Sequence, residues 1–411
     1  MISEHKEPMG KDIIWNAVGT LFYMGCQWLL TVLVVRLNGD YFSAGILTLS
    51  MSISTPLITV ATLGLRTYQV ANMNERFSDG DFFGVRAITS IVSLVICAVI
   101  IAVSGYTTYT SWCVMLFVCY RLSEAIVDVL HGIDQCAWRL DIVGKSFLMR
   151  GSIMLVAFVI GELLFRSLLL SIILMGVGVY GVILCYDVPS CKKCTQLNLS
   201  LDHRNLLPLI GIGVPLGAFT FLVNLMPSIP RFFMERLYGE DVLGVFGSIT
   251  TITMLIPQLA SFIFGPLVPV FAEYWKAHDI KHFNKLFAMC IFAIALIGGV
   301  TLVCGYFWGE WGLSLILGDS IRPYSYLLCP VIGTAIITAY ISLLGATLIV
   351  LGDYSALVWL STVSVFVTLA ASVLLIQRDA FMGTILATAI GLSIELVLLG
   401  ARTVITILKR N

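Results

Sequence analysis

Arg36-Leu37-Asn38-Gly39-Asp40 closes the first long apolar segment of the chain, and Arg236-Leu237-Tyr238-Gly239-Glu240 closes the seventh, 200 positions later. The correspondence holds at that offset on either side of the motif. Thr20 answers Thr220, Thr48 answers Ser248, Arg76 answers Lys276, Asp79 answers Asp279 and Phe83 answers Phe283. It drifts by one where Gly45 answers Gly244, with Pro56 and Pro257 following. Similar residues at one offset, each in the same place relative to an apolar run, describe a chain built from two like-oriented halves.

What the halves are follows from composition. Hydrophobic residues are 59% of the 411, and charged residues 12%. That much apolar surface exceeds what a soluble core can bury, so a multi-spanning membrane protein is the class. A helix needs about 20 apolar residues to cross roughly 30 Å of hydrocarbon. Twelve segments qualify, at about 13–35, 42–65, 87–104, 111–130, 148–165, 167–186, 207–230, 242–264, 286–307, 325–350, 355–376 and 382–405. Their unbroken apolar runs exclude barrel strands. The expected fold is therefore an all-α polytopic membrane protein, with six helices in a lobe over 1–190, a linker over 191–205, and six more in a lobe over 206–411. The two parallel lobes are expected to surround a central cavity.

The polar start carries Glu4 and Glu7 and does not have the make-up of a cleavable signal peptide. Lysine and arginine set the orientation. Seventeen fall on the side of the N-terminus, from Lys6 and Lys11 through Arg66, Arg86 and Arg150 to Arg410. Six fall opposite: Arg36, Arg166, Arg231, Arg236, Arg322 and Arg378. Both termini are thus expected in the cytoplasm and the protein in the inner membrane. Net charge is zero and no basic patch suggests nucleic acid. Most of the eleven cysteines sit inside spans, and Cys191-Lys192-Lys193-Cys194 reads as two reduced thiols in a basic linker rather than a metal site. No cofactor is expected.

Polar residues inside the spans mark the candidate site. Asn16, Thr20, Gln27 and Thr31 form one stripe on span one, and Gly213, Gly217, Thr220, Asn224, Ser228 and Arg231 one on span seven. Spans two and eight are rich in hydroxyls, which suit either close helix packing or a water-accessible cavity. Seven of twelve prolines lie between Pro208 and Pro269; Pro215, Pro227 and Pro230 are expected to bend or interrupt span seven. In span four, Arg121, Glu124 and Asp128 stand at i, i+3 and i+7, on one face. Arg121 is ten residues from Ser111, or about 15 Å, near mid-bilayer. A charge there costs roughly 2.5–3.5 kcal/mol on insertion scales and must face protein or water. Two readings stay open: an Arg121–Glu124 pair pinning span four, or an anion contact at Arg121 with protonation at Glu124 or Asp128. Glu395, alone in span twelve, is a further coupling candidate.

With these residues on the page, the chain resembles the polysaccharide biosynthesis flippases (Wzx-type) of the multidrug/oligosaccharidyl-lipid/polysaccharide exporter superfamily. The likeness is carried by Lys11-Asp12-Ile13-Ile14-Trp15-Asn16, by Arg36 to Asp40 with Gly45, and by Leu63-Gly64-Leu65-Arg66-Thr67-Tyr68-Gln69-Val70. In the second half it is carried by Pro230-Arg231-Phe232-Phe233, by Gly239 to Phe246, and by Pro266 to Phe283. The resemblance implies a substrate, an oligosaccharide on a polyprenyl pyrophosphate, moved to the outer leaflet by alternating access for O-antigen, capsule or exopolysaccharide. It also implies arginines as pyrophosphate contacts, with Arg36 at such a position and Arg66 at the cytoplasmic entrance. Partners would be the lipid-linked sugar, the bilayer and the polymerase machinery. Two departures stand out: spans thirteen and fourteen are lacking, and span eight carries hydroxyls where some relatives carry arginine. The competing classes are a multidrug or small-solute exporter of the same layout, a major-facilitator transporter and a membrane sugar polymerase or ligase. The chain has no carboxylate in span one past Asp12, no basic glycine-rich loop after span two and no large outer loop.

Overall fold

A computed structural model describes residues 9–71, 77–193, 195 and 200–409. Glu4, Lys6, Glu7, Arg76, Cys194 and Arg410 lie outside the described residues. Among the described residues every regular element is helical. The first half runs α1 (Met9–Asn38), α2 (Phe42–Thr62), α3 (Leu65–Ala71), α4 (Asp79–Ser104), α5 (Thr108–Cys136), α6 (Leu140–Phe165) and α7 (Leu168–Val182). A π-helical turn, Ile183–Asp187, leads from α7 into α8 (Val188–Cys191). The second half runs α9 (His203–Tyr238), α10 (Glu240–Thr253), α11 (Leu255–Phe264), α12 (Val268–Lys276), α13 (Ile280–Leu317), α14 (Leu328–Val350), α15 (Tyr354–Leu375) and α16 (Ala380–Leu408). Short 3-10 turns cover Gly265–Leu267 and Asp319–Leu327.

Eleven helical stretches are long and apolar enough to cross a membrane. The twelfth expected span is the 29-residue α5, which is long enough but carries the charged face read from the sequence. The protein is thus a multi-pass membrane protein.

The repeated motif does the same work twice. Gly39 (φ 73°) ends α1 and Gly239 (φ 86°) ends α9 in backbone that favours glycine. Later in each half a side chain caps the matching helix. The Ser78 hydroxyl accepts the Asp81 N–H at the start of α4, and the Asp279 carboxylate accepts the His282 N–H at the start of α13. Prolines act unevenly. α9 is continuous through Pro215, Pro227 and Pro230, so the expected interruption does not occur. A helix tolerates the missing donors where neighbouring groups satisfy the freed carbonyls. Pro257 cannot bond the Thr253 carbonyl, and the second half breaks there, between α10 and α11.

The chain forms two compact units. The first holds Met1–Asn38 and Ile53–Phe221, and the second holds Gly39–Ser52 and Leu222–Asn411. Both α2 and α9 are therefore divided between units, and the expected linker 191–205 lies within the first.

In the first unit, α1 and α6 pack backbone to backbone. A carbon on Gly19 would overlap the Gly144 carbonyl, and one on Gly144 would overlap the Trp15 carbonyl. Without a hydrophobic drive between helices in lipid, such close van der Waals packing is what holds them. The end of the linker is stitched to the start of α4. Ser200 Oγ donates to Asp81 Oδ1 at 2.7 Å, and Asn205 Nδ2 donates to Asp81 Oδ2 at 3.1 Å. In the second unit, the first half of α2 crosses α10 where Gly45 lies on the Glu240 carbonyl and Gly244 on the Tyr41 carbonyl. The aromatic core of this unit gathers Phe271, Trp275 and Phe283 between α12 and α13.

The hydroxyls of α2 and α10 serve packing. Thr48, Ser50 and Ser52 donate to carbonyls of their own helix at 2.7–2.8 Å, as do Ser248 and Thr251 at 2.7 Å. Ser50, Ser52 and Ser248 are buried.

Candidate functional site

The charged face of α5 continues past the three residues that announce it. Arg121, Glu124, Asp128, His131 and Gln135 fall within about 80° at 100° per residue. Together they form a polar column about 21 Å long at 1.5 Å rise per residue. Each rung meets a partner from another helix of the first unit.

At the first rung Arg121 Nη1 reaches Glu124 Oε1 at 2.6 Å, and the side chains are 19% and 24% exposed. The same oxygen accepts Tyr23 Oη at 3.2 Å and Gln27 Nε2 at 3.4 Å from α1. The ion pair read as one of two options from the sequence is therefore formed, with its acid shared by the polar stripe of α1. Behind Tyr23 stands Arg150 of α6, buried, its guanidinium 5.1 Å from the Tyr23 ring centre and 5.9 Å from that of Phe147. Its one hydrogen bond goes to Tyr23 Oη at 3.4 Å.

At the second rung Asp128 Oδ2 accepts Arg86 Nη2 at 2.6 Å. Arg86 comes from α4 and is 2% exposed. Its Nη1 also donates to the Ala61 carbonyl at 3.3 Å and to the Thr62 carbonyl. These carbonyls end α2, where the helix leaves its last acceptors without intrahelical donors. A guanidinium with five donors suits such a crowded acceptor set. At the last rung Gln135 Oε1 accepts Arg66 Nη2 at 3.1 Å.

Of the residues selected from sequence, Gln27, Arg121 and Glu124 meet directly, and Asp128 and Arg66 hold the lower rungs. Asn16 is half-buried on α1, and Arg36 is exposed at its far end. Neither joins the column. Asn224 and Glu395 belong to the second unit. The Asn224 carbonyl accepts the Ser228 hydroxyl at 3.0 Å, and its side chain is half-buried. Glu395 is fully buried, with Oε1 accepting Ser361 Oγ at 2.5 Å and Oε2 without a partner.

Sequence reading missed Arg86 and Arg150 as interior residues, and placed Arg231 on the polar stripe of span seven without selecting it as a site residue. The first two count toward the flanking charge bias, yet both lie on α4 and α6 as buried side chains. The signal was helix phase: Arg150 sits eleven residues into α6, where an exposed arginine has no place. Arg231 lies on α9 of the second unit. Its one hydrogen bond is to Thr250 Oγ1 at 3.4 Å, and among the described residues it meets no carboxylate. It is a cation available to an anion.

Long apolar helices with charged groups held between them define a polytopic all-α membrane protein, and comparison with known proteins agrees. No protein-family model matches the chain. It is 24% identical over 394 residues to the capsular polysaccharide biosynthesis protein CapF of Staphylococcus aureus, covering 95% of this chain and 98% of that one. Among solved structures it is similar to the lipid II flippase MurJ in an inward closed conformation, with TM-score 0.72 and 10% identity over 97% of this chain and 90% of that one. It is also similar to an inward-facing multidrug resistance MATE family transporter of the MOP superfamily, with TM-score 0.68 and 12% identity over 96% and 98%. The fold is thus that of these transporters, along essentially the whole chain.

Proposed function

We propose that this protein is a flippase that moves a polyprenyl-pyrophosphate-linked oligosaccharide from the cytoplasmic to the outer leaflet for cell-surface polysaccharide assembly. The observation that carries the reading is end-to-end similarity to a capsule biosynthesis protein on the fold of a lipid-linked sugar flippase. In this reading the protein sits in the inner membrane with both termini in the cytoplasm. The protein hands its product to the polymerase machinery. It carries no catalytic step.

Chemistry supports the assignment. A pyrophosphate is multiply anionic and cannot cross hydrocarbon without cations, and a guanidinium grips two phosphate oxygens at once. Arg231, inside a span and without a carboxylate, is the cation in the second unit best suited to that contact. Arg36 and Arg66 are the corresponding candidates in the first. Arg121 and Arg86, by contrast, already have acids at 2.6 Å; Arg86 ties α4 to α5, and Arg121 pairs along α5 with an acid that α1 shares. A drug or small-solute exporter shares the fold, but α1 here has no acid past Asp12 to couple such transport.

The test is genetic and chemical. Deleting the gene should cause a lipid-linked oligosaccharide to accumulate on the cytoplasmic face. The intact gene should clear it, and Arg231→Ala, though folded and inserted, should not. Absence of accumulation, with loss of drug resistance in its place, refutes the flippase.

A further inference from the structure

The lower end of the α5 column holds polar atoms that the ion pairs above do not use. His131 is 1% exposed, Asp134 0% and Asp187 0%. His131 Nε2 lies 3.9 Å from Asp187 Oδ1, beyond hydrogen-bond reach, and has no other partner. Among the described residues neither oxygen of Asp187 accepts a hydrogen bond. Asp134 Oδ1 accepts only Cys191 Sγ at 3.4 Å, and Oδ2 accepts nothing. The imidazole is fixed from the side by Phe147, edge-on at 5.0 Å between centres. Asp187 is placed by the π-helical turn that ends at it, a widening of the helix that recurs at functional sites.

Two buried carboxylates with one weak thiol donor between them are costly, and an imidazole beside them is a group that can answer to pH. The charged or titratable groups facing the cluster are Arg66 of α3, Arg139 on the turn before α6, Asp141 and Arg150 of α6, and Tyr186 of the π-turn. Arg139 and Asp141 are engaged with each other at 3.0 Å, Arg66 with Gln135 and Arg150 with Tyr23. None supplies a hydrogen bond to Asp187. Among the described residues no three metal-ligating side chains are set to hold a metal ion. A proton needs only the two facing atoms.

We propose that His131 and Asp187 form a proton-binding pair inside the first unit, with Asp134 as the second carboxylate of the site. When the proton arrives, the imidazole becomes a donor at both nitrogens and its Nε2–H closes the gap to Asp187. When it leaves, Asp187 is stranded in an apolar site and the pair parts. Binding of the proton stands on the cluster alone. Its use as the coupling ion rests on the flippase reading, which also places the cluster toward the cytoplasm.

Proton uptake by the purified full-length protein in nanodiscs tests this between about pH 3 and pH 8, a window that covers a buried as well as a free imidazole. His131→Gln should take up about one proton fewer than the wild type. Asp187→Asn, which removes no histidine, should lose that same proton, and the double variant should lose no more than either. Asp187→Glu should restore it. Should the variants fold poorly, the 15N-histidine spectrum of the wild type should contain one solvent-shielded resonance that titrates in this window. An Asp187→Asn protein that takes up as many protons as the wild type overturns the proposal, as does a shielded histidine unmoved by pH. A wild type that binds the proton yet flips no lipid-linked sugar in vesicles refutes the flippase and leaves the site standing.

Discussion

Removing Asp128 tests whether the α5 column is an energetic unit or a set of neighbours. Arg86 is 2% exposed, and Asp128 gives it a 2.6 Å ion pair. Its remaining acceptors are the carbonyls of Ala61 and Thr62. In Asp128→Leu the guanidinium stays buried with two neutral acceptors. Breaking a buried pair from one side costs about 3–5 kcal/mol. Asp128 is 20% exposed, so water recovers part of the loss on the other side. Arg86→Met should therefore cost less, about 2–3 kcal/mol, although it also abandons the end of α2. The double variant removes both charges and fills the volume with apolar groups, and should lie within about 1 kcal/mol of the milder single. The coupling energy is then the cost of the Asp128 variant itself, roughly 3–5 kcal/mol, at or above the upper end for contacting residues. Reversible unfolding in mixed detergent–SDS micelles measures all four proteins. Additive losses, with coupling under about 0.5 kcal/mol, would show that Arg86 and Asp128 are held by their helices rather than by each other.

Further outcomes follow from other contacts. Arg121→Met and Glu124→Leu should also couple, but by no more than about 1–2 kcal/mol because both side chains reach water; the same micelle assay reads it. Arg36→Ala should stop sugar export while the protein remains inserted, and Arg36→Lys should restore it in part; full activity of the alanine variant removes Arg36 from the site. Gly45→Val and Gly244→Val should each destabilise the second unit by about 1–3 kcal/mol or more through overpacking, seen as lower melting temperature, whereas Gly25→Ala, with open space around it, should not. Asp279 caps α13, and hydrogen bonds from the backbone and ring of His282 hold its carboxyl below the ordinary carboxylate range. A depressed value contributes stability at neutral pH that disappears as pH falls through the folded-state value. The gap in melting temperature between wild type and Asp279→Ala should thus be present at pH 7 and close below about pH 4.

Fold class was legible because it depends on quantities that a sequence displays: apolar run length, the limits of a bilayer and a repeat offset. The repeat itself was legible, and the structure adds what its glycines do: Gly39 and Gly239 each end a helix at positive φ. The site was legible on one helix and hidden between helices. Arg121, Glu124 and Asp128 share a face that spacing reveals, but their partners Tyr23, Gln27 and Arg86 come from α1 and α4. No spacing rule links a residue to one a hundred positions away. Arg86 and Arg150 were misread because charge counting assigns an arginine near a span's end to water, whereas a long side chain there can turn inward to carbonyls and aromatic rings. The hydroxyl-rich spans were ambiguous for a local reason: serine and threonine in a helix bond the carbonyl a turn earlier, so they suit packing as readily as a cavity.

The glycine crossing between α2 and α10 joins residues that correspond to each other in the two halves, Gly45 from one and Gly244 from the other. A surface that meets its own counterpart is isologous, the arrangement by which two identical subunits associate about a two-fold axis. The second unit therefore contains, within one chain, the kind of joint a homodimer of half-length chains would need. Such a joint has a particular genetics. Bulk added on one side is met by the same spot on the other, so neither glycine has a neighbour that can shrink to make room for it.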